Sequence, residues 1–130
     1  MHHVLFAHNR LRNPRTTAGG AVPPVLTLYN SVVYNWSELP THTGSERVKL
    51  QWLNNTYVPG PSTPGDVRGI GFQFQGDPGA RIYARGNVIV DSPAATADNR
   101  LAISVVITLE SDGRTWFAGC PAQSLVVIRR

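Results

Sequence analysis

Breakers of regular structure interrupt this chain so often that long helices have little room to form. Asn13-Pro14, Gly19-Gly20, Pro23-Pro24, Leu39-Pro40 through Gly44, Pro59 through Gly65, Gly76 through Gly79, Ser92-Pro93, Asp112-Gly113 and Gly119 through Pro121 divide it into short segments. With Gly at 12 positions and Pro at 10, few stretches reach three helical turns. The segments between breaks are rich in β-branched and aromatic residues, the composition of strands.

Strands are expected near residues 3–7, 25–34, 46–53, 67–75, 80–91, 100–110, 114–118 and 123–129, with room for one helical turn at 92–99. Val48, Leu50 and Trp52 alternate with Arg47, Lys49 and Gln51, and Ile70, Phe72 and Phe74 alternate with Gly71, Gln73 and Gln75. That period of two marks half-buried strands. Leu101–Leu109 and Ser124–Ile128 are apolar on both faces, as in a central strand or one pressed against a neighbour. Asp112-Gly113 reads as a hairpin turn. Together these signals predict an all-β fold of about eight short strands, an antiparallel β-sandwich of jelly-roll type or a related barrel. No internal repeat is evident. Residues 1–24 are expected to form a basic N-terminal arm carrying Arg10, Arg12 and Arg15, ahead of a sandwich domain at 25–130.

Composition narrows the function. At 130 residues the chain has the size of one domain. Charged residues make up only 15%, and hydrophobic ones 42%, so part of the surface is expected to face something other than bulk water. Lys49 is the sole lysine among 12 basic residues, and the net charge of +4 is too small to require a nucleic acid. A nucleic-acid-binding β-barrel built around Arg81, Tyr83 and Arg85 is a distant alternative, since no continuous basic stripe accompanies them. Cys120 is alone, so the chain makes no internal disulfide. No apolar run is long enough to span a bilayer, and the expected setting is a cytoplasm.

Residues for catalysis are hard to find. His2, His3 and His8 cluster, but no nearby Cys, Asp or Glu completes a metal set. The acidic residues sit mainly at turns, where they cap and solvate, and Cys120 has no neighbouring histidine. The chain is therefore expected to be no enzyme and to need no metal or cofactor. Tyr34, Trp36 and Tyr57 border loops beside Asn35, Asn54 and Asn55. As exposed rings they would suit sugars in a lectin-like or receptor-binding module, and as rim packing they would suit a subunit contact. Asn35-Trp36-Ser37 and Asn54-Asn55-Thr56 match the glycosylation sequon, a pattern common by chance.

The Arg-over-Lys usage, the loop Val58-Pro59-Gly60-Pro61-Ser62-Thr63-Pro64-Gly65 and the apolar segment at the C-terminus resemble, in general character, the small β-sandwich proteins of bacteriophage virions, such as capsid cement (decoration) proteins and tail appendage modules. The resemblance implies a non-enzymatic assembly protein of the virion, a homo-oligomer such as a trimer docked on a capsid or tail protein. Ile103, Val105, Ile107, Val126 and Ile128 are then the expected subunit interface, with the arm as a further contact.

Overall fold

A computed structural model describes residues 1–16, 25–38, 40–43, 49–65, 70–74 and 81–107. The described strands are β1 (Leu5–Ala7), β2 (Arg15–Thr16), β3 (Val25–Tyr29), β4 (Val32–Tyr34), β5 (His42–Thr43) and β6 (Lys49–Leu53). They continue with β7 (Thr56–Val58), β8 (Ile70–Phe74), β9 (Arg81–Arg85), β10 (Val88–Ile89) and β11 (Ile103–Ile107). A short helix α1 (Pro93–Ala97) and a 3₁₀ turn (Asn99–Ala102) separate the last two.

Among the described residues every strand pairing is parallel, which overturns the expected antiparallel sandwich. Sheet β3-β6-β9 stacks strands from successive passages of the chain, as do β1-β4-β7-β10, β2-β5 and β8-β11. The chain therefore winds as a coil whose turns lie on one another, a parallel β-solenoid. Equivalent corner residues Val4, Ser31, Asn55 and Asn87 are 27, 24 and 32 residues apart. Left-handed residues such as Asn30 and Gly86, which fall inside expected strands, are here corners, and the partner strand arrives one full coil later.

Two expected strands divide at such corners. Segment 25–34 breaks at Asn30, and 80–91 breaks at Gly86. His3, Asn30, Asn54 and Gly86 all have left-handed backbone, with φ between +51° and +68°. Asn and Gly tolerate that conformation best. Gly86 is needed twice over, because a Cβ there would strike the Asn54 side chain. Residues 1–16, expected as part of a separate arm, pair into the first coil: β1 on β4, and β2 on β5.

The residue after each of these corners points inward and carries a ladder of amides. The Ser31 N–H donates to Asn55 Oδ1 at 3.1 Å, the Asn55 N–H to Asn87 Oδ1 at 2.9 Å, and the Asn87 N–H to Asn99 Oδ1 at 2.8 Å. Asn55 Nδ2 donates to the Leu28 carbonyl and Asn87 Nδ2 to the Trp52 carbonyl, at 3.0 and 2.8 Å. Each side chain thus satisfies buried backbone groups of the previous coil, which would otherwise cost about 1–3 kcal/mol apiece.

Asn99 comes from the 3₁₀ turn, not from a further coil, and so ends the ladder. Beside it, Thr96 of α1 covers the free edge of β10: the Ile89 N–H donates to Thr96 Oγ1 at 2.8 Å, and that hydroxyl donates to the Ile89 carbonyl at 3.0 Å. Helix α1 begins where Ser92 caps it by accepting from the Ala95 N–H. The interior is filled by Leu28, Val33, Leu50, Trp52, Tyr57 and Ile89, with Ala95, Ala102 and Ile103 closing it from the helical side. Burial of each large side chain contributes about 1.5–3 kcal/mol.

Candidate functional site

Alternation along three-residue strands sends one residue in and two out. In sheet β1-β4-β7-β10 the inward residues are Phe6, Val33, Tyr57 and Ile89, all packed in or against the core. Their neighbours therefore form two outward columns. One column is Leu5, Val32, Thr56 and Val88, aligned residue to residue. The other is Ala7, Tyr34 and Val58, extended by Val90, whose N–H donates to the Tyr57 carbonyl at 3.1 Å. Thr56 and Tyr34 are the only two of the eight with a polar group, each a hydroxyl, and none is charged.

This face is open to solvent. Leu5 is 67% exposed, Val32 36%, Val88 41% and Val90 49%, and the other four are half-buried. Four rungs at strand spacing extend roughly 14 Å, with the columns about 7 Å apart. A second set of corners bounds it. His8 and Asn35 are left-handed, with φ of 58° and 52°. Asn35 is buried, shares a hydrogen bond of 2.8 Å with the His8 ring and accepts from the Ser62 N–H at 2.7 Å. Gly60 packs so closely on Asn35 that a Cβ has no space. The His8 ring stands edge-on to Tyr34, with centroids 5.0 Å apart.

The neighbouring sheet β3-β6-β9 presents a mixed surface that carries charge. Its outward columns are Val25 and Lys49; Thr27, Gln51 and Tyr83; and Tyr29, Leu53 and Arg85, with Arg81 in register with Lys49. Thr27 donates to Gln51 Oε1 at 3.0 Å, and the His2 ring stacks on Tyr29 with centroids 4.8 Å apart. These strands contain three basic residues and no acidic one.

The residues singled out from sequence are dispersed. Trp36 and Tyr57 are core residues, meeting edge to face at 6.0 Å, so neither offers a ring for a sugar to stack on. The cause is the alternation itself, which turns Tyr57 inward, while Trp36 follows the Asn35 corner into the interior. Tyr34 alone of that group lies on the outward face. Burial pushes the Tyr57 hydroxyl up to about 12, with Thr41 and Trp52 beside it acting in the opposite direction. Asn35, expected as a sequon residue, has both amide ends engaged.

Arg10 pairs with Glu38 at 2.5 Å, both ends largely in solvent, and Arg15 lies in β2. Arg12 has left-handed backbone. Ile103, expected at an interface, is buried in the core. Val105 and Ile107 align with Phe72 and Phe74 across the β11-β8 pair. Val126 and Ile128 lie outside the described residues. Among the described residues no three His, Cys, Asp or Glu side chains gather to hold a metal, and no helix is long and apolar enough to cross a membrane. The aligned columns do not show in the alternation alone, because Asn30 and Gly86 lie inside segments of continuous strand composition. The signal was present as a recurring pattern in His3-Val4-Leu5-Phe6, Asn30-Ser31-Val32-Val33, Asn54-Asn55-Thr56-Tyr57 and Gly86-Asn87-Val88-Ile89.

No protein-family model matches the chain, and comparison with curated proteins finds no relative.

Proposed function

We propose that this chain is a non-enzymatic assembly module whose uncharged sheet face packs against the same face of other copies. The observation that carries this reading is the pair of outward columns Leu5, Val32, Thr56, Val88 and Ala7, Tyr34, Val58, Val90. Contiguous exposed apolar surface of this kind marks interaction sites on folded proteins. A sheet face without charges is complementary to itself, and two such faces pack about 10 Å apart. The face is small beside the ~800 Å² per partner of a stable interface. That supports an assembly in which each copy is held by more than one contact, as in an oligomer seated on a capsid or tail protein of a virion. Light scattering on the purified full chain tests the reading. An oligomer that a Val32→Lys, Val88→Lys double variant converts to a folded monomer supports it. A wild-type monomer at all concentrations counts against it.

A further inference from the structure

On the side of the solenoid, between the loop 59–65 and the helical segment 91–102, lies an open cleft of about 770 Å³. This is the size of small-molecule sites, which run from about 300 to 1,000 Å³. Pro59 and Pro64 form one wall and Leu101 and Ala94 the other, above a floor of Ile89 and Ala102. The cleft is built from rigid parts. Its helical wall is tied to β10 by Thr96 and to the amide ladder by Asn99. Its loop wall is tied to Asn35 through Ser62 and closed on itself where the Gly60 N–H donates to Thr63 Oγ1 at 3.1 Å.

The polar groups in it narrow the ligand. Asp91 is exposed, and it is the only charged residue among the described ones that line the cleft. The hydroxyls of Thr63 and Ser92 each accept from a backbone N–H and keep a proton to donate. The Trp36 indole N–H, in a ring that borders the cleft, has no acceptor among the described residues. A carboxylate with no cation disfavours phosphates and carboxylates as ligands. Trp36 is 1% exposed, so the cleft lacks the open aromatic faces that hold quaternary ammonium groups. The apolar walls of proline and leucine beside two hydroxyls and a carboxylate suit a molecule with C–H faces and several hydroxyls, and a primary amine is the competing ligand.

We propose that this cleft binds a short neutral saccharide, with Asp91 accepting from a pair of adjacent sugar hydroxyls. This site is separate from the sheet face and does not depend on the assembly reading. The test is an NMR titration of the full chain with maltose, cellobiose, lactose and N,N′-diacetylchitobiose, with benzylamine and acetate as charged probes. At least one disaccharide is expected to shift the resonances of Thr63, Asp91 and Leu101 in a saturable way. Asp91→Asn should weaken that sugar about tenfold or more, the loss of a charge-assisted hydrogen bond. Leu101→Trp, which fills the cleft from a half-exposed position, should abolish binding while the rest of the spectrum is unchanged. The proposal is overturned if no disaccharide perturbs the cleft, if benzylamine or acetate binds there and sugars do not, or if Asp91→Asn binds as tightly as wild type.

Discussion

Two sheets of one solenoid share a corner, a core and a rung spacing, yet they meet water differently. Sheet β3-β6-β9 shows the charged Lys49 and Arg85 outward beside Val25, Gln51 and Leu53, while sheet β1-β4-β7-β10 shows Leu5, Val32, Val58 and Val88 and no charge. Their inward residues are of one kind: Leu28, Leu50 and Trp52 on the first, Val33, Tyr57 and Ile89 on the second. Stability needs only the inward set, because stacked coils bury it whatever lies outside. The outward set is free to carry charge, and on one sheet it does. The apolar outward set is the feature on which the proposed assembly reading rests.

The largest effect should come from the corner that both faces share. Asn87→Ala removes the acceptor for the buried Asn55 N–H and the donor to the Trp52 carbonyl. It should cost about 3 kcal/mol or more in urea unfolding, since two buried backbone groups lose their partners. Both faces should fail together.

Alkaline pH should then probe the core behind the apolar face alone. Tyr57 is raised by burial from 10.0 to about 12, so the folded state holds its proton where the unfolded chain releases it. The stability linked to this proton is complete below pH 10.0 and is lost as pH rises toward 12, by up to roughly 2–3 kcal/mol. Urea unfolding across that window should show the decline, and Tyr57→Phe should remove it.

Next comes the comparison itself. Val32→Lys with Val88→Lys should abolish self-association in light scattering while changing the unfolding free energy of the monomer by no more than about 0.5 kcal/mol, as surface substitutions usually do. The smallest effect belongs to the polar sheet. Lys49→Gln with Arg85→Gln should leave both oligomeric state and stability unchanged, again within about 0.5 kcal/mol. If this second pair dissolves the oligomer and the first does not, the roles assigned to the two faces are reversed.

Which residues face inward was largely legible in the sequence. The alternation of Leu50 and Trp52 with Lys49 and Gln51 is the same whether the neighbouring strand runs parallel or antiparallel. For that reason the period of two identified the inward side of β6 and carried no information about its partner. The partner is decided by what lies between strands. Asn30-Ser31 and Asn54-Asn55 have the composition of hairpin turns, but a single left-handed residue followed by an extended one bends the chain into the next side of a coil. The repeat escaped notice because coils of 24 to 32 residues keep the corner and vary the loop. Trp36 and Tyr57 looked like loop aromatics because they sit near Asn, and it is those Asn residues that turn the chain and carry the rings inside. The cleft could not be read at all, since it joins residues 59–65 to residues 91–102 through a cap that has no counterpart in the preceding coils.

That cap has a consequence for how such a molecule can change length. Asn99 and Thr96 stand in for the next rung at the corner and at the β10 edge. The stop signal is thus a separate piece from the coils it terminates. A duplication of residues 32–55, a unit that ends on the ladder residue Asn55, would insert a whole coil and give each corner N–H an Asn acceptor on the next rung. Each such event would lengthen both faces by one strand spacing of about 4.8 Å and leave the terminator in place. The chain is in this sense a ruler with a movable end: copying a coil would extend its sheet faces without redesigning the core.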